Sequence, residues 1–203
     1  MIYTALTILN EAKEDFPEYG EPIKSLENEI RWIGNEWGSE KIEKRVSKIL
    51  IFKDLVSLST VEQVLAAAYL DQAFVMNDAR IMADKMTKKL YHQNGDGTDK
   101  ANAFKHIYWS AYATNKMGAK YTKLFTDAHE IGWRVENVND PEAMKMDFHN
   151  NQRGRILGEK YSINELPRII AHDIAIGNAA VIRDGKSVLS TPEWRRKDEI
   201  KKK

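Results

Sequence analysis

From Ser39 to Asn94 the chain contains neither glycine nor proline. A run of that length without either breaker leaves little room for hairpins or tight turns, and it reads as helix. Its second piece, Val61–Tyr91, is rich in Ala, Leu, Met and Lys, all strong helix formers. The one break falls near Ser57–Thr60, where Ser59 or Thr60 is a suitable N-cap with Glu62 in the first turn. Elsewhere the breakers cluster. Pro17, Gly20 and Pro22 separate a helix over Ile2–Glu14 from one over Ile23–Trp37. Asn94-Gly95-Asp96-Gly97 is a turn, after which Asp96 or Thr98 can cap a helix over Asp99–Lys116 that stops before Gly118. Further helices are expected over Lys120–Trp133, Glu142–Gly158 and Ile163–Ile176, with a loop at Asn137–Pro141. The end differs: Ala180–Arg183, Asp184-Gly185 and Lys186–Leu189 spell a hairpin on an Asp-Gly turn. The expected fold is mainly α, six to eight helices around a central buried helix, with a small C-terminal β-hairpin.

The expected organisation is an N-terminal helical segment (1–57), a helical motif-bearing part with the hairpin (58–193) and a basic tail (194–203). With 203 residues the chain can bury a core without staples. A net charge of +1 removes the global basic field of a nucleic-acid binder. The absence of cysteine removes disulfides, thiolate catalysis and Cys-ligated zinc. No apolar run reaches the roughly 18 residues that cross a membrane. The N-terminus lacks the pattern of a signal peptide, so the expectation is a protein cytoplasmic as made, or one exported without a signal peptide or packaged. The tail sets Arg195, Arg196, Lys197 and Lys201–Lys203 against Asp198 and Glu199. It is a solvated terminus or a contact for phosphate or an acidic partner.

Common signatures fail. Asn94, Asp96 and Thr98 resemble the start of a calcium loop, but Asp99 stands where that loop needs Gly and Lys105 where it needs Glu. His129-Glu130 resembles a zincin helix, but Trp133 replaces the second His. There is no Gly-rich phosphate loop and no Gly-x-Ser-x-Gly elbow.

Three groups of polar residues remain. Asn102, His106 and Trp109 share one stripe of a helix whose other side carries Phe104, Tyr108, Ala111 and Tyr112. A helix apolar nearly all round is central, so its Asn and His need partners. In the second group, Asp127 and His129 diverge by roughly 200° at about 100° per residue. Glu130 lies between them and is the better candidate. In the third, Asp147, Asn150, Asn151, Gly154 and Gly158 fall on one face, flanked by Arg153 and Arg155, while His149 points away. Two helical glycines cost about 1 kcal/mol each, which suggests close approach of another backbone or a ligand. A hydrogen-bonded core pair, a surface charge cluster and an ordinary capped helix are the structural alternatives for the three groups.

The segments Asp99–Trp109, Asp127–Glu130 and Met146–Arg155 resemble an uncharacterised bacterial domain family with Asn-Ala-x-(Arg/Lys)-His-x-x-Trp, His-Glu and Met-Asp-x-x-Asn-Asn-x-x-Gly-Arg motifs. That family includes C-terminal modules of Rhs-type and other secreted polymorphic toxins, and small free-standing proteins. The resemblance covers about Gly95–Gly158 and points to Asn102, His106, Glu130, Asp147, Asn150 and Asn151. Lys105 stands where Arg is more usual.

Two enzymatic readings and one binding reading follow. In the first, His106, Glu130 and Asp147 hold a divalent metal (Mn, Zn or Fe) that activates water. Asn150 and Asn151 assist catalysis, and Asn102, Trp109 and Arg155 hold substrate. In the second, Glu130 and Asp147 act as a metal-free acid/base pair. Either makes the protein a hydrolase, and the toxin resemblance implies a cell-wall, lipid or nucleic-acid target. In the third, the polar residues form an internal network in a non-enzymatic interaction or structural protein, secretion- or virion-associated cargo. Its partner would bind the N-terminal helices, whose Ile23, Leu26, Ile30 and Ile33 look like packing positions. His92 and His149 are expected to be dispensable.

Overall fold

Two of the helices start on side-chain caps, at Ser59 and at Asp99. The structure, a computed structural model, describes residues 1–49, 58–137 and 140–190. The basic tail and most of the break before Ser59 lie outside the described residues. Among those described there are nine α-helices and one two-stranded antiparallel sheet. They are α1 (Ile2–Asp15), α2 (Gly20–Trp37), α3 (Ser39–Ile49), α4 (Thr60–Ala68), α5 (Leu70–Tyr91), α6 (Lys100–Met117), α7 (Ala119–Glu136), α8 (Pro141–Lys160) and α9 (Leu166–Ala175). The strands β1 (Ala180–Arg183) and β2 (Lys186–Leu189) follow. No helix among the described residues is long and apolar enough to cross a membrane.

The ninth helix arises because Val61–Tyr91 is two helices. Tyr69 leaves helical conformation at φ −121° and ψ 61°, and its phenol donates to Glu29 of α2. A tertiary contact thus breaks a stretch that has no Gly or Pro and many strong helix formers. At the start of α4, Ser59 Oγ accepts from Glu62 N while Ser59 N donates to the Glu62 carboxylate, a reciprocal capping box. The cap of α6 is Asp99, not Asp96 or Thr98: its Oδ1 accepts from Ala101 N and Asn102 N. Asp96 instead pairs with Lys105, which also reaches Asp84 at 2.9 Å. At the hairpin turn Asp184 and Gly185 both take positive φ, 49° and 71°, as a two-residue turn between twisted strands requires. The register pairs Val181 with Val188 and Ile182 with Ser187.

The chain forms two compact units, Met1–Asn77 with Leu124–Pro141, and Asp78–Lys123 with Glu142–Lys203. In the first, α4 packs on α1, α2 and α3. Ile23, Leu26, Ile30 and Ile33 are fully buried there with Leu9, Phe16 and Ile42, as their three- and four-residue spacing predicts. In the second, α6 is central. It packs on α9 and β1, and Phe104, Ile107, Tyr108 and Ala111 are buried with Leu157, Ile170, Ile174 and Val181.

One ion pair ties α8 to α9 inside this second unit. The Arg153 guanidinium donates through Nε and Nη2 to the two Asp173 oxygens, both at 2.6 Å, and Asn178 Nδ2 donates to the same carboxylate. Burial alone would raise the Asp173 carboxyl, but these bonds hold it below its ordinary 3.8. A carboxylate held low stabilises the fold above its unfolded value and loses that contribution as pH falls through the folded one. Asp173→Asn should therefore cost about 2 kcal/mol at neutral pH, discounted for the part-exposed guanidinium. It should also flatten the acid limb of the stability curve below 3.8. Melts of both proteins across pH check this, and parallel curves would contradict it.

Candidate functional site

Helices α6 and α8 touch backbone to backbone. A Cβ on Gly154 would fall inside contact distance of Ile107 O and stand 2.7 Å from Ser110 Cβ. A Cβ on Gly158 would strike Ala111 O and stand 2.9 Å from Ala111 Cα and Thr114 Cβ. The two glycines expected to mark a close approach therefore receive another helix. Along the same seam Ser110 Oγ donates to Asn151 Oδ1 at 2.8 Å, and His106 Nε2 lies 3.4 Å from Asp147 Oδ1. The contacts advance together, His106 to Asp147, Ser110 to Asn151, Thr114 to Gly158, so the two helices run in the same sense.

His106 is thus held on α6 with its side chain 14 % exposed. The Trp109 ring meets it edge-on, with centroids 6.2 Å apart at 77°. Glu130 and Asp147 are each 3 % exposed. Within the second unit, the His106 imidazole and the Asp147 carboxylate could both serve as ligands of a metal ion. His129, next to Glu130 on α7, is engaged inside the first unit. Its Nδ1 lies 3.0 Å from Glu62 Oε1, as the divergence of successive helical positions requires. Burial would raise the Glu62 carboxyl, but His129 and the Ser59 bonds hold it below the ordinary range.

The amides have defined partners. Asn150 acts as a piece of strand: its Nδ2 donates to Ala180 O at 3.0 Å and its Oδ1 accepts from Ala180 N at 2.9 Å. This docks α8 to β1. Asn102 Nδ2 donates to Gly95 O at 3.1 Å, tying α6 to the preceding turn. Arg155 and Trp109 are half-buried. His149 lies off the Asp147 face, with Nε2 2.8 Å from Asn178 O. Sequence reasoning missed Ser110, although it lies four residues after His106 on the adjoining stripe. It also missed Glu62 and Asp173 as the partners of His129 and Arg153. Those partners are distant in sequence, and no local pattern announces them.

A family model described as a domain of unknown function, DUF6973, matches residues 63–176, more than half of the chain. All three motif segments lie inside that match. No curated protein and no solved structure matches the chain.

Proposed function

We propose that this chain, which belongs to the DUF6973 family, is a hydrolase that holds a divalent metal at His106, Glu130 and Asp147. The observation that carries the reading is a spacing. His106 Nε2 stands 3.4 Å from Asp147 Oδ1. Two donor atoms about 2.1 Å from one ion at a tetrahedral angle are about 3.4 Å apart. A hydrogen bond between the same atoms would draw them to about 2.9 Å. One nitrogen and two oxygen donors suit Mn, Zn or Fe and leave positions open. When bound, such an ion acidifies its water and supplies a nucleophile near neutral pH.

The chain's own residues hold this arrangement in place. Trp109 steadies the His106 ring, and Asn150 and Asn151 fix α8, and with it Asp147, through Ala180 and Ser110. In this reading both asparagines are positioning residues, and Arg155 offers positive charge to an anionic substrate. The likeness of the motifs to secreted polymorphic toxin modules supports an effector-like role, with a cell-wall, lipid or nucleic-acid target. The N-terminal helices would then serve a protein partner. One observation favours a second reading, a non-enzymatic interaction or structural protein. The Asn150 amide is satisfied within the protein, as an internal network requires.

Hydrolysis separates the two. The purified chain with Mn²⁺ or Zn²⁺ is offered a phosphodiester, a carboxylic ester and a peptidoglycan fragment. Turnover of at least one is expected, stopped by chelator and reduced at least about 100-fold in Glu130→Gln. His149→Ala should retain it. A protein that binds metal yet turns over none of the three would favour the second reading.

A further inference from the structure

The net charge of +1 is the balance of two opposite units. The first carries 9 Lys and Arg against 17 Asp and Glu, a net −8, and the second 22 against 13, a net +9. Without the residues beyond Ser190 the second still stands at +6. A basic field absent from the chain as a whole is therefore present in one of its units. Six of that unit's lysines are exposed: Lys85, Lys88 and Lys89 of α5, Lys116 of α6, Lys120 of α7 and Lys160 of α8. Among the described residues none of the six pairs with a carboxylate, while Asp84, Asp96 and Asp173 are taken by Lys105, Arg80 and Arg153. Four of the six stand in the last turn of a helix, where they suit its dipole. That accounts for their places and not for the missing counter-charge.

The six fall at the two ends of α6. Thr87 of α5 and Ala101 of α6 both close on Gly95, which sets Lys85, Lys88 and Lys89 toward the start of α6. At the other end Asn115 Nδ2 donates to Tyr161 O at 3.0 Å, which brings Lys160 to the same end as Lys116, and Gly118 leads directly into α7 and Lys120. There the ammonium groups lie over tyrosine rings, Lys116 on Tyr112 at 5.9 Å, Lys120 on Tyr121 at 5.7 Å and Lys160 on Tyr161 at 5.2 Å. A ring steadies a cation and leaves its charge in place. From Ala101 to Lys116 is about 22 Å along the helix, a span that a chain of phosphates covers and a small anion does not. We propose that the second unit binds the phosphate backbone of nucleic acid through these lysines. A membrane surface would need an apolar face beside them. The exposed apolar side chains of this unit are instead divided among α5, α8, the end of α9 and β2, and Ile81 and Leu90 of α5 face opposite ways by the helical step. Of the three substrates named for the metal reading the proposal selects the phosphodiester, and only that selection rests on the metal reading.

Fluorescence anisotropy of a labelled DNA duplex and a labelled single-stranded RNA, each about 20 nucleotides long, reads the binding. The full chain is used in chelator, so that no turnover intervenes. The expected affinity for at least one probe falls about a thousandfold between about 50 and 200 mM salt, the slope of about six phosphate contacts. A triple variant, Lys116→Gln with Lys120→Gln and Lys160→Gln, should lower that slope by about three and weaken binding in low salt at least about tenfold. The same change of net charge made in the first unit, Lys24→Gln with Lys44→Gln and Lys48→Gln, should leave both as they were. Circular dichroism checks folding. If the first triple variant does not fold, Lys85→Gln with Lys88→Gln and Lys89→Gln replaces it under the same expectation. Binding to neither probe in low salt overturns the proposal, as does unchanged affinity in the second-unit variant. An equal loss in the first-unit control also overturns it, because the effect would then be net charge alone. Binding to phosphatidylserine vesicles with none to DNA or RNA would assign the lysines to a membrane instead. A chain that binds DNA or RNA but no Mn²⁺ would uphold the proposal and remove only the choice of substrate, so the two readings fail separately.

Discussion

Gly154→Ala should lower the melting temperature by about 4–8 °C, although alanine is the better helix former. The intrinsic gain is about 1 kcal/mol. Against it, the new methyl would overlap Ile107 O and crowd Ser110 Cβ at 2.7 Å and Ala111 N at 3.1 Å. Two of these three atoms belong to the α6 backbone and cannot rotate away, so α8 must move as a body. Overpacking of this kind costs up to about 3 kcal/mol or more. At roughly 2–4 °C per kcal/mol for a chain of this size, the quoted drop follows. Gly158→Ala, which strikes Ala111 O, should behave alike. Gly20→Ala is the control, since its Cβ would meet nothing within 4 Å. Asp147 lies on the same face of α8, so displacement of that helix should also weaken metal binding. A Gly154→Ala protein that melts with the original would show that the two helices are not in backbone contact.

The second large effect is expected from metal. Glu130 and Asp147 are each 3 % exposed, and a divalent cation offsets the cost of keeping a buried carboxylate charged. An ion that binds only the folded state stabilises it by mass action, about 2.7 kcal/mol at one hundred times its dissociation constant. For this chain length that is a rise of roughly 5–10 °C. His106→Ala and Asp147→Asn should each abolish the rise, while His149→Ala, whose ring bonds Asn178 O away from the site, should keep it. Identical melts in chelator and in Mn²⁺ or Zn²⁺ would favour a metal-free carboxylate pair or a purely structural network.

Much of this arrangement is legible in the residues themselves. The hairpin follows from Asp184-Gly185, because few residues tolerate positive φ at both turn positions. The faces of His106, Glu130 and Asp147 follow from helical spacing, and the seam follows from Gly154 and Gly158, since glycine in a helix interior has a cost that close packing offsets. What is not legible is long-range. Nothing in Ala66-Ala67-Ala68-Tyr69-Leu70 predicts a break, which depends on Glu29 forty residues earlier. The choice of Asp99 over Asp96 as cap depends on Lys105 drawing Asp96 away. Asn150 reads from sequence as a site amide, and only its contact with Ala180, thirty residues on, reveals the strand it imitates. Helical periodicity reports which side a residue faces, and it is silent on what waits there.

The most direct test of the metal centre is a calorimetric titration of Mn²⁺ and Zn²⁺ into the metal-stripped full chain, repeated with Glu130→Gln. The account predicts one ion per chain, with affinity falling at least about tenfold when the Glu130 oxygen is neutralised. No saturable binding, or binding that Glu130→Gln leaves unchanged, would contradict it.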